Sequence, residues 1–263
     1  MNFISSLGDK TKNALLKSIA SLLEKNPQEN LAKIIKLSKL LAVDQSSIEK
    51  IDSFQALYST IPDFKNYVDD MIEHTDHKIM KNFVVNILGR NLSHKKKYSN
   101  VTSYSPRSLM IDCDIFKSNN SSLNFVKADK IISESREIGV FTFIITGISP
   151  LSSDFLYRIC EKYNDSLFIP IADKNNITDK ICRKIIECGN IFPLFQHNCA
   201  DIDILKNNGI PVFNMPYIQK LLRKVDYDTG LSHLKTFSLE FNEFSINKLK
   251  TYSLSDLISK NVI

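Results

Sequence analysis

Polar side chains that can move protons stand at the ends of several short apolar segments. The four in question are Asp112, Asp173, His197 and Asn198. A carboxylate beside an imidazole supports general acid–base catalysis, and in a (β/α) barrel such residues meet at the carboxyl face of the strands. The alternative is structural: the two carboxylates bond loop amides and His197 fills the rim. The sequence favours the structural alternative.

The elements that would position these residues begin after residue 107, where short apolar segments alternate with segments of helical spacing. The predicted strands are Ser108–Asp112, Val140–Thr146, Leu167–Ile171, Ile191–Phe195, Ile210–Phe213 and, weakly, Thr236–Phe241. The predicted helices are Asn124–Ile138, Ser153–Tyr163, Ile177–Cys188, Asp201–Asn207 and Tyr217–Val225, with Gly139, Gly189 and Gly209 as helix stops. This alternation predicts an α/β fold of six strand–helix units, with parallel strands and right-handed crossovers. Periodicity alone does not distinguish a partly closed barrel from an open sheet.

The first hundred residues show helical spacing and no strand pattern. Their apolar stripes predict a helix that stops at Asn26, a second from Pro27 to Leu41, a third from about Gln45, and one long helix from Pro62 to about Leu88. We therefore predict an all-helical region over residues 1–100, and a barrel-like region with a C-terminal extension over residues 101–263.

The composition excludes several classes of protein. The seven glycines among 263 residues lie at least eight positions apart, so the chain has neither a P-loop nor a GxGxxG fingerprint. A net charge of +5, spread along the chain, predicts no nucleic-acid partner. Five cysteines without paired spacing are typical of reduced thiols. Without a signal-like start or a long apolar run, the sequence predicts a cytoplasmic protein with no membrane span.

Two segments carry a family resemblance. Residues 81–90 read KNFVVNILGR, and residues 123–150 read LNFVKADKIISESREIGVFTFIITGISP. Together with the predicted order of elements, they resemble the radical S-adenosylmethionine superfamily, in the branch with a helical lead-in before the barrel. The likeness covers roughly half of the chain. It implies an α/β fold in which a partial (β/α)6 TIM-like barrel follows the all-helical N-terminal region.

The resembled family holds an iron–sulfur cluster through a CxxxCxxC loop after the first strand, with thiolates as ligands. Here the corresponding loop begins at Cys113, but Lys117 and Asn120 stand where the other two thiolates belong. One thiolate cannot hold a cubane, so the resemblance implies a degenerate member without the cluster. The alternative is a substitute ligand set, for which the sequence offers Cys160, Cys182, Cys188 and Cys199.

The other motif positions of the family are changed as well. Its GGEP motif reads GISP over residues 147–150, where Ser149 replaces the acid that takes the cofactor's ammonium group. Its third-strand TNG motif reads ADK over residues 172–174. After the fourth predicted strand, the usual serine, acid and glycine positions hold Gln196, Asn198 and Cys199.

These losses predict a pseudoenzyme: a radical-SAM-like protein that lacks catalysis, cofactor and metal, and that binds a peptide or a protein partner such as an active relative. The candidate ligand-binding residues at the barrel mouth are Asp112, Cys113, Ser149, Asp173, His197 and Asn198. Two alternatives stay open. One is a non-redox enzyme for proton transfer or hydrolysis that uses the carboxylates and the histidine, and the other is a helical interaction module carried by a barrel scaffold.

Overall fold

The computed structural model describes residues 9–25, 27–42, 45–84, 108–112, 121–137, 139–147, 149–172 and 177–214. These ranges form a helical N-terminal region followed by an α/β region with a parallel sheet. The fold class predicted from the sequence is therefore confirmed at this coarse level. The predicted strand Thr236–Phe241 and the predicted helix Tyr217–Val225 lie outside the described residues.

The N-terminal region consists of helices joined by short turns. Its elements are α1 (Asp9–Lys25), α2 (Pro27–Leu41), α3 (Gln45–Thr60), α4 (Pro62–His74) and α5 (His77–Asn82). Ile19, Ile34 and Leu41 form one buried cluster with Val84, while a second cluster joins α2 to α4. The predicted starts at Pro27, Gln45 and Pro62 are confirmed, and a proline in the first turn suits a helix whose first amides have no partner.

One expectation for this region is wrong. The long helix predicted from Pro62 to about Leu88 is broken at Thr75 and Asp76. The Asp76 carboxylate caps α5, because its Oδ1 accepts hydrogen bonds from the backbone amides of Lys78, at 2.8 Å, and of Ile79, at 3.3 Å. The Asp76 amide in turn donates to the Gly209 carbonyl at 2.8 Å. The break is thus fixed by a contact distant in sequence, which helical periodicity does not reveal.

The α/β region alternates strands and helices in chain order. Its elements are β1 (Ser108–Asp112), α6 (Ser121–Glu137), β2 (Thr142–Thr146), a 3-10 turn (Pro150–Ser152), α7 (Asp154–Lys162), β3 (Leu167–Ala172), α8 (Asp179–Cys188), β4 (Leu194–Phe195), α9 (Asp201–Asn207) and β5 (Phe213–Asn214). The five strands pair in parallel in the order β1-β2-β3-β4-β5. The five described strands and four intervening helices agree with the predicted alternation. Closure of the sheet into a partial barrel stays a prediction.

The last two strands begin later than the sequence predicts, and proline explains the difference. Ile191 forms an isolated bridge with Phe168, but Pro193 then interrupts the ladder because it has no amide proton to donate. Regular pairing therefore starts at Leu194 instead of Ile191. In the same way Pro211 delays β5, and the carbonyl of Pro193 accepts the amide of Phe213 at 2.8 Å.

The helical region packs against the amino ends of β4 and β5. Asn82 Nδ2 donates to the carbonyl of Gly189 at 2.9 Å, and the ring of Phe83 stacks on Phe192 with centroids 5.0 Å apart. Gly189 and Gly209 are the helix stops predicted from the sequence, and their carbonyls accept the hydrogen bonds from Asn82 and Asp76. Their φ angles of 69° and 74° are left-handed, a conformation that is strained for a residue with a side chain. The contacts of α4 and α5 thus fall at the amino edge, opposite the edge predicted to carry function.

A buried asparagine ties the middle of the sheet together. Asn190 is fully buried just before β4, and its Nδ2 lies within hydrogen-bonding distance of three carbonyls, those of Cys160 at 3.0 Å, Tyr163 at 3.1 Å and Ser166 at 3.0 Å. All three belong to the end of α7 and the turn into β3. The side chain thereby holds the α7–β3 connection against the start of β4.

We expect Asn190→Ala to lower the free energy of unfolding by about 2–4 kcal/mol, because it leaves buried carbonyls without a donor. Chemical denaturation followed by circular dichroism measures the change. The matched control is Asn208→Ala, since Asn208 is exposed and its Nδ2 contacts a single carbonyl, that of Ile204 at 2.9 Å. A loss at Asn190 no larger than at Asn208 would contradict this role.

Candidate functional site

The candidate site lies where the five parallel strands end. Because all the strands run the same way, Asp112, Thr146, Ala172, Phe195 and Asn214 lie along one carboxyl edge. In open and closed α/β sheets alike, loops at this edge are the usual place for ligands. The strand ends predicted from the sequence at Asp112 and Thr146 are confirmed.

The two faces of the sheet differ in what they contact. One face joins the four intervening helices in a large core around Phe143, Phe168 and Phe195. The other face carries a separate cluster composed of strand residues, in which Ile144, Ile171 and Leu194 are buried and Met110, Ile169 and Phe213 are partly buried. Right-handed crossovers place all four helices on one side, which explains why the second cluster lacks helical residues. We call this second cluster the apolar floor.

The carboxyl edge adds a polar rim to the apolar floor. Side chains alternate along a strand, so Asp112 shares a face with Met110, and Thr146 shares a face with Ile144. The register pairs Asp112 directly with Thr146. The β1 and β2 ends of the floor therefore finish in a carboxylate and a hydroxyl.

At the other end of the sheet, an asparagine pair forms the rim. Asn214 Nδ2 donates to Asn198 Oδ1 at 2.9 Å, which joins the end of β5 to the loop after β4. Asn198 was among the predicted residues, but Asn214 and Thr146 were missed. The rule that found Asp112 would have found Asn214, had the predicted strand not ended one residue early at Phe213.

Two of the predicted acid–base residues belong to different parts of the sheet. Asp112 ends β1, whereas His197 follows β4, and β2 and β3 lie between these two strands. His197 is exposed, while Asp112 is partly buried. Asp173 and Cys113 lie outside the described residues, so their positions stay predictions.

Ser149 has an unusual backbone. Its φ of 53° and ψ of 57° are left-handed, it precedes Pro150, and its side chain makes no capping hydrogen bond to the following 3-10 turn. A residue other than glycine is uncommon there, and the residue before a proline is restricted further. The Ser149 hydroxyl is exposed beside the carboxyl edge as a neutral group, so it lacks the charge that would hold an ammonium ion.

The described cysteines do not fit an iron–sulfur cluster. Cys160, Cys182 and Cys188 are buried in the core on α7 and α8, and Cys199 is partly exposed. Burial raises the pKa of the Cys188 thiol to about 12 and also raises the pKa of Cys182, so both stay protonated at neutral pH. Cluster ligands must be thiolates. Cys182 and Cys188 are therefore core thiols.

The described residues also offer no other cluster of side chains for a metal ion. Among them, no group of three or more His, Cys, Asp and Glu side chains is arranged to hold a metal ion. We therefore derive no chemical step through a cluster at this edge.

A shallow cleft lies away from the carboxyl edge, between α4 and the segment before β5. Its charged groups satisfy each other, because Asp70 accepts from Lys206 Nζ at 2.9 Å and lies 3.2 Å from His74 Nδ1. The cleft contains none of the predicted site residues, and we place the candidate site at the strand ends instead.

Comparison with known proteins gives no relative from which a function can be transferred. No family model, no curated protein and no solved structure matches the chain. The resemblance to radical S-adenosylmethionine proteins consequently rests on the sequence motifs alone.

Within the described helices, none has the length and apolar character needed to cross a bilayer.

The cysteine environments lead to a chemical test. We expect a thiol-alkylating reagent at pH 8 to modify Cys199 at least tenfold faster than Cys188, because reactivity requires exposure and the thiolate form. Mass spectrometry of peptides after timed alkylation measures both rates. Unfolding in denaturant should make the two rates similar, which is the internal control. Equal rates in the native protein would contradict the buried, protonated state of Cys188.

Proposed function

We propose that this chain is a non-catalytic binding protein that holds a peptide, or an extended segment of a partner protein, at the carboxyl edge of its parallel sheet. The observation that supports the proposal most directly is the composition of that edge. An apolar floor formed by Ile144, Ile171 and Leu194 ends in a rim with the neutral polar groups of Thr146 and Asn198. Apolar surface with a few placed polar groups is the usual character of a binding site.

The rim chemistry favours a peptide over a phosphorylated ligand. Carboxamides such as those of Asn198 and Asn214 both donate and accept hydrogen bonds, as a peptide backbone requires. Asp112 contributes a carboxylate, which would repel an anion.

Substitutions at the ligand positions of the resembled family support the proposal that the chain is non-catalytic. Lys117 and Asn120 replace two cluster thiolates, and Ser149 replaces the acid of the second motif. The buried thiols of α7 and α8 belong to no group of three or more His, Cys, Asp and Glu side chains, among the described residues, that could hold a metal ion. On this proposal the partial-barrel framework persists as a scaffold for binding.

Selection from a random peptide library displayed on phage, with the full chain as bait, tests the proposed binding edge. The edge variant is Asn198→Ala/Asn214→Ala. The matched control is Asn207→Ala/Asn208→Ala, at the opposite end of α9. We expect selected peptides to bind the edge variant about tenfold or more weakly, since up to two hydrogen bonds are lost, and to bind the control as they bind the unaltered chain.

Two results would overturn the proposal. One is a set of selected peptides that bind the edge variant and the unaltered chain equally well. The other is a library that yields no peptide dependent on the edge. Thermal unfolding of both variants checks that the fold is intact. We expect it to be, because Asn198, Asn207 and Asn208 are exposed and Asn214 is half-buried.

A further inference from the structure

The first two helices carry an excess of positive charge. Residues 9–41 contain seven lysines and three acidic residues, an excess of four charges. The following helices α3 to α5 contain more acidic than basic residues. Among the helices of the N-terminal region, the positive charge thus belongs to the packed pair α1 and α2.

Three of the four lysines of α1 lie on one outer face. Lys10, Lys17 and Lys25 are spaced by seven and eight residues, which returns to the same side of an α-helix. All three are exposed, while Ile19 and Leu23 on the other side of the helix are buried. They form a row about 22 Å long at 1.5 Å per residue.

The packed neighbour α2 extends this charged surface. Lys33 and Lys36 are exposed there, opposite the buried Leu31 and Leu41. We call the five exposed lysines, Lys10, Lys17, Lys25, Lys33 and Lys36, the lysine face.

Among the described residues, acidic side chains do not neutralise the lysine face. Within that part of the chain, Lys10, Lys17, Lys25 and Lys36 form no ion pair. Three acidic side chains of the neighbouring helices are engaged elsewhere: Asp52 pairs with Lys39, Asp69 with Lys65, and Asp70 with Lys206. The exposed lysine face can therefore accept a complementary negative surface from another molecule.

The residues between the lysines indicate the kind of molecule. Residues 9–41 contain no arginine and no aromatic residue. Single-stranded nucleic acid is usually bound with aromatic stacking, and interfacial membrane helices usually carry aromatic anchors. The exposed residues beside the lysines include Ala14, Ser21 and Ala32, whose small side chains let another backbone approach closely. These features favour an acidic protein surface.

We propose that the lysine face binds an acidic α-helix of a partner protein. The glutamate or aspartate side chains of that helix pair with Lys10, Lys17 and Lys25 along its length, and its backbone lies over the small residues between them. This surface is separate from the peptide-binding edge proposed above, because it belongs to the helical region. Either proposal can fail without the other.

The test uses the full chain and three fluorescent probes in low salt. The first probe is an alanine–glutamate helical peptide of about 20 residues, or ~30 Å. The second is a DNA duplex and the third is a vesicle that contains phosphatidylglycerol. The lysine-face variant is Lys10→Glu/Lys17→Glu/Lys25→Glu. The matched control, Lys127→Glu/Lys180→Glu/Arg183→Glu, makes the same change in net charge at exposed positions of α6 and α8.

We expect the acidic peptide to bind the unaltered chain and the control within about twofold of each other, and to bind the lysine-face variant about tenfold or more weakly. Circular dichroism should show unchanged helix content in both variants, because all six side chains are exposed. An equal loss in both variants would overturn the proposal, since net charge alone would then explain binding. No measurable peptide binding, or tighter binding of the duplex or the vesicle through the same lysines, would overturn it as well.

Discussion

The packing of α5 against two glycine turns determines which edge of the sheet faces the helical region. Asp76 and Asn82 bind the carbonyls of Gly209 and Gly189, and both carbonyls belong to turns that enter strands. In a parallel sheet, the amino ends of the strands form one edge and the carboxyl ends form the other. This contact therefore places the helical region at the amino edge. The carboxyl edge is left to the loops that follow the strands, which is where function in such folds is usually found.

Because side chains alternate along each strand, one face of the sheet packs on helices and the other forms the apolar floor. Odd and even positions of β2 face different clusters: Phe143 and Ile145 pack on helices, while Ile144 contributes to the apolar floor. The floor depends on the helix-packed core for its shape, because Asn190 and the glycine turns hold the strands in register. Stability and the proposed binding property are thus carried by opposite faces of the same five strands.

The sequence predicted the alternation of strands and helices because period and helix stops are local signals. Gly139, Gly189 and Gly209 have the positive φ angles expected of such stops. It did not predict the break at Asp76, because that break depends on a contact with Gly209, more than a hundred residues away. It also placed the starts of β4 and β5 too early, since hydrophobicity continues through Pro193 and Pro211 while the hydrogen-bonded ladder does not.

The candidate site was predicted less completely than the fold. Asp112 and Asn198 lie at the expected edge, but the partnership of Asn198 with Asn214 depends on which strands are neighbours, and that is a property of the sheet order. The separation of Asp112 from His197 by β2 and β3 likewise follows from the sheet order. Residue type and position near a strand end identify candidate residues in the sequence. Which of these candidates lie close together depends on the order of the strands in the sheet.

We propose that the chain has no iron–sulfur cluster site. Anaerobic incubation of the full chain with iron and sulfide, followed by desalting and an absorption spectrum, tests it most directly. We expect a colourless protein without the sulfur-to-iron charge-transfer band, in the unaltered chain and in Cys113→Ser alike. A stable brown protein whose colour is lost in Cys113→Ser would contradict the account.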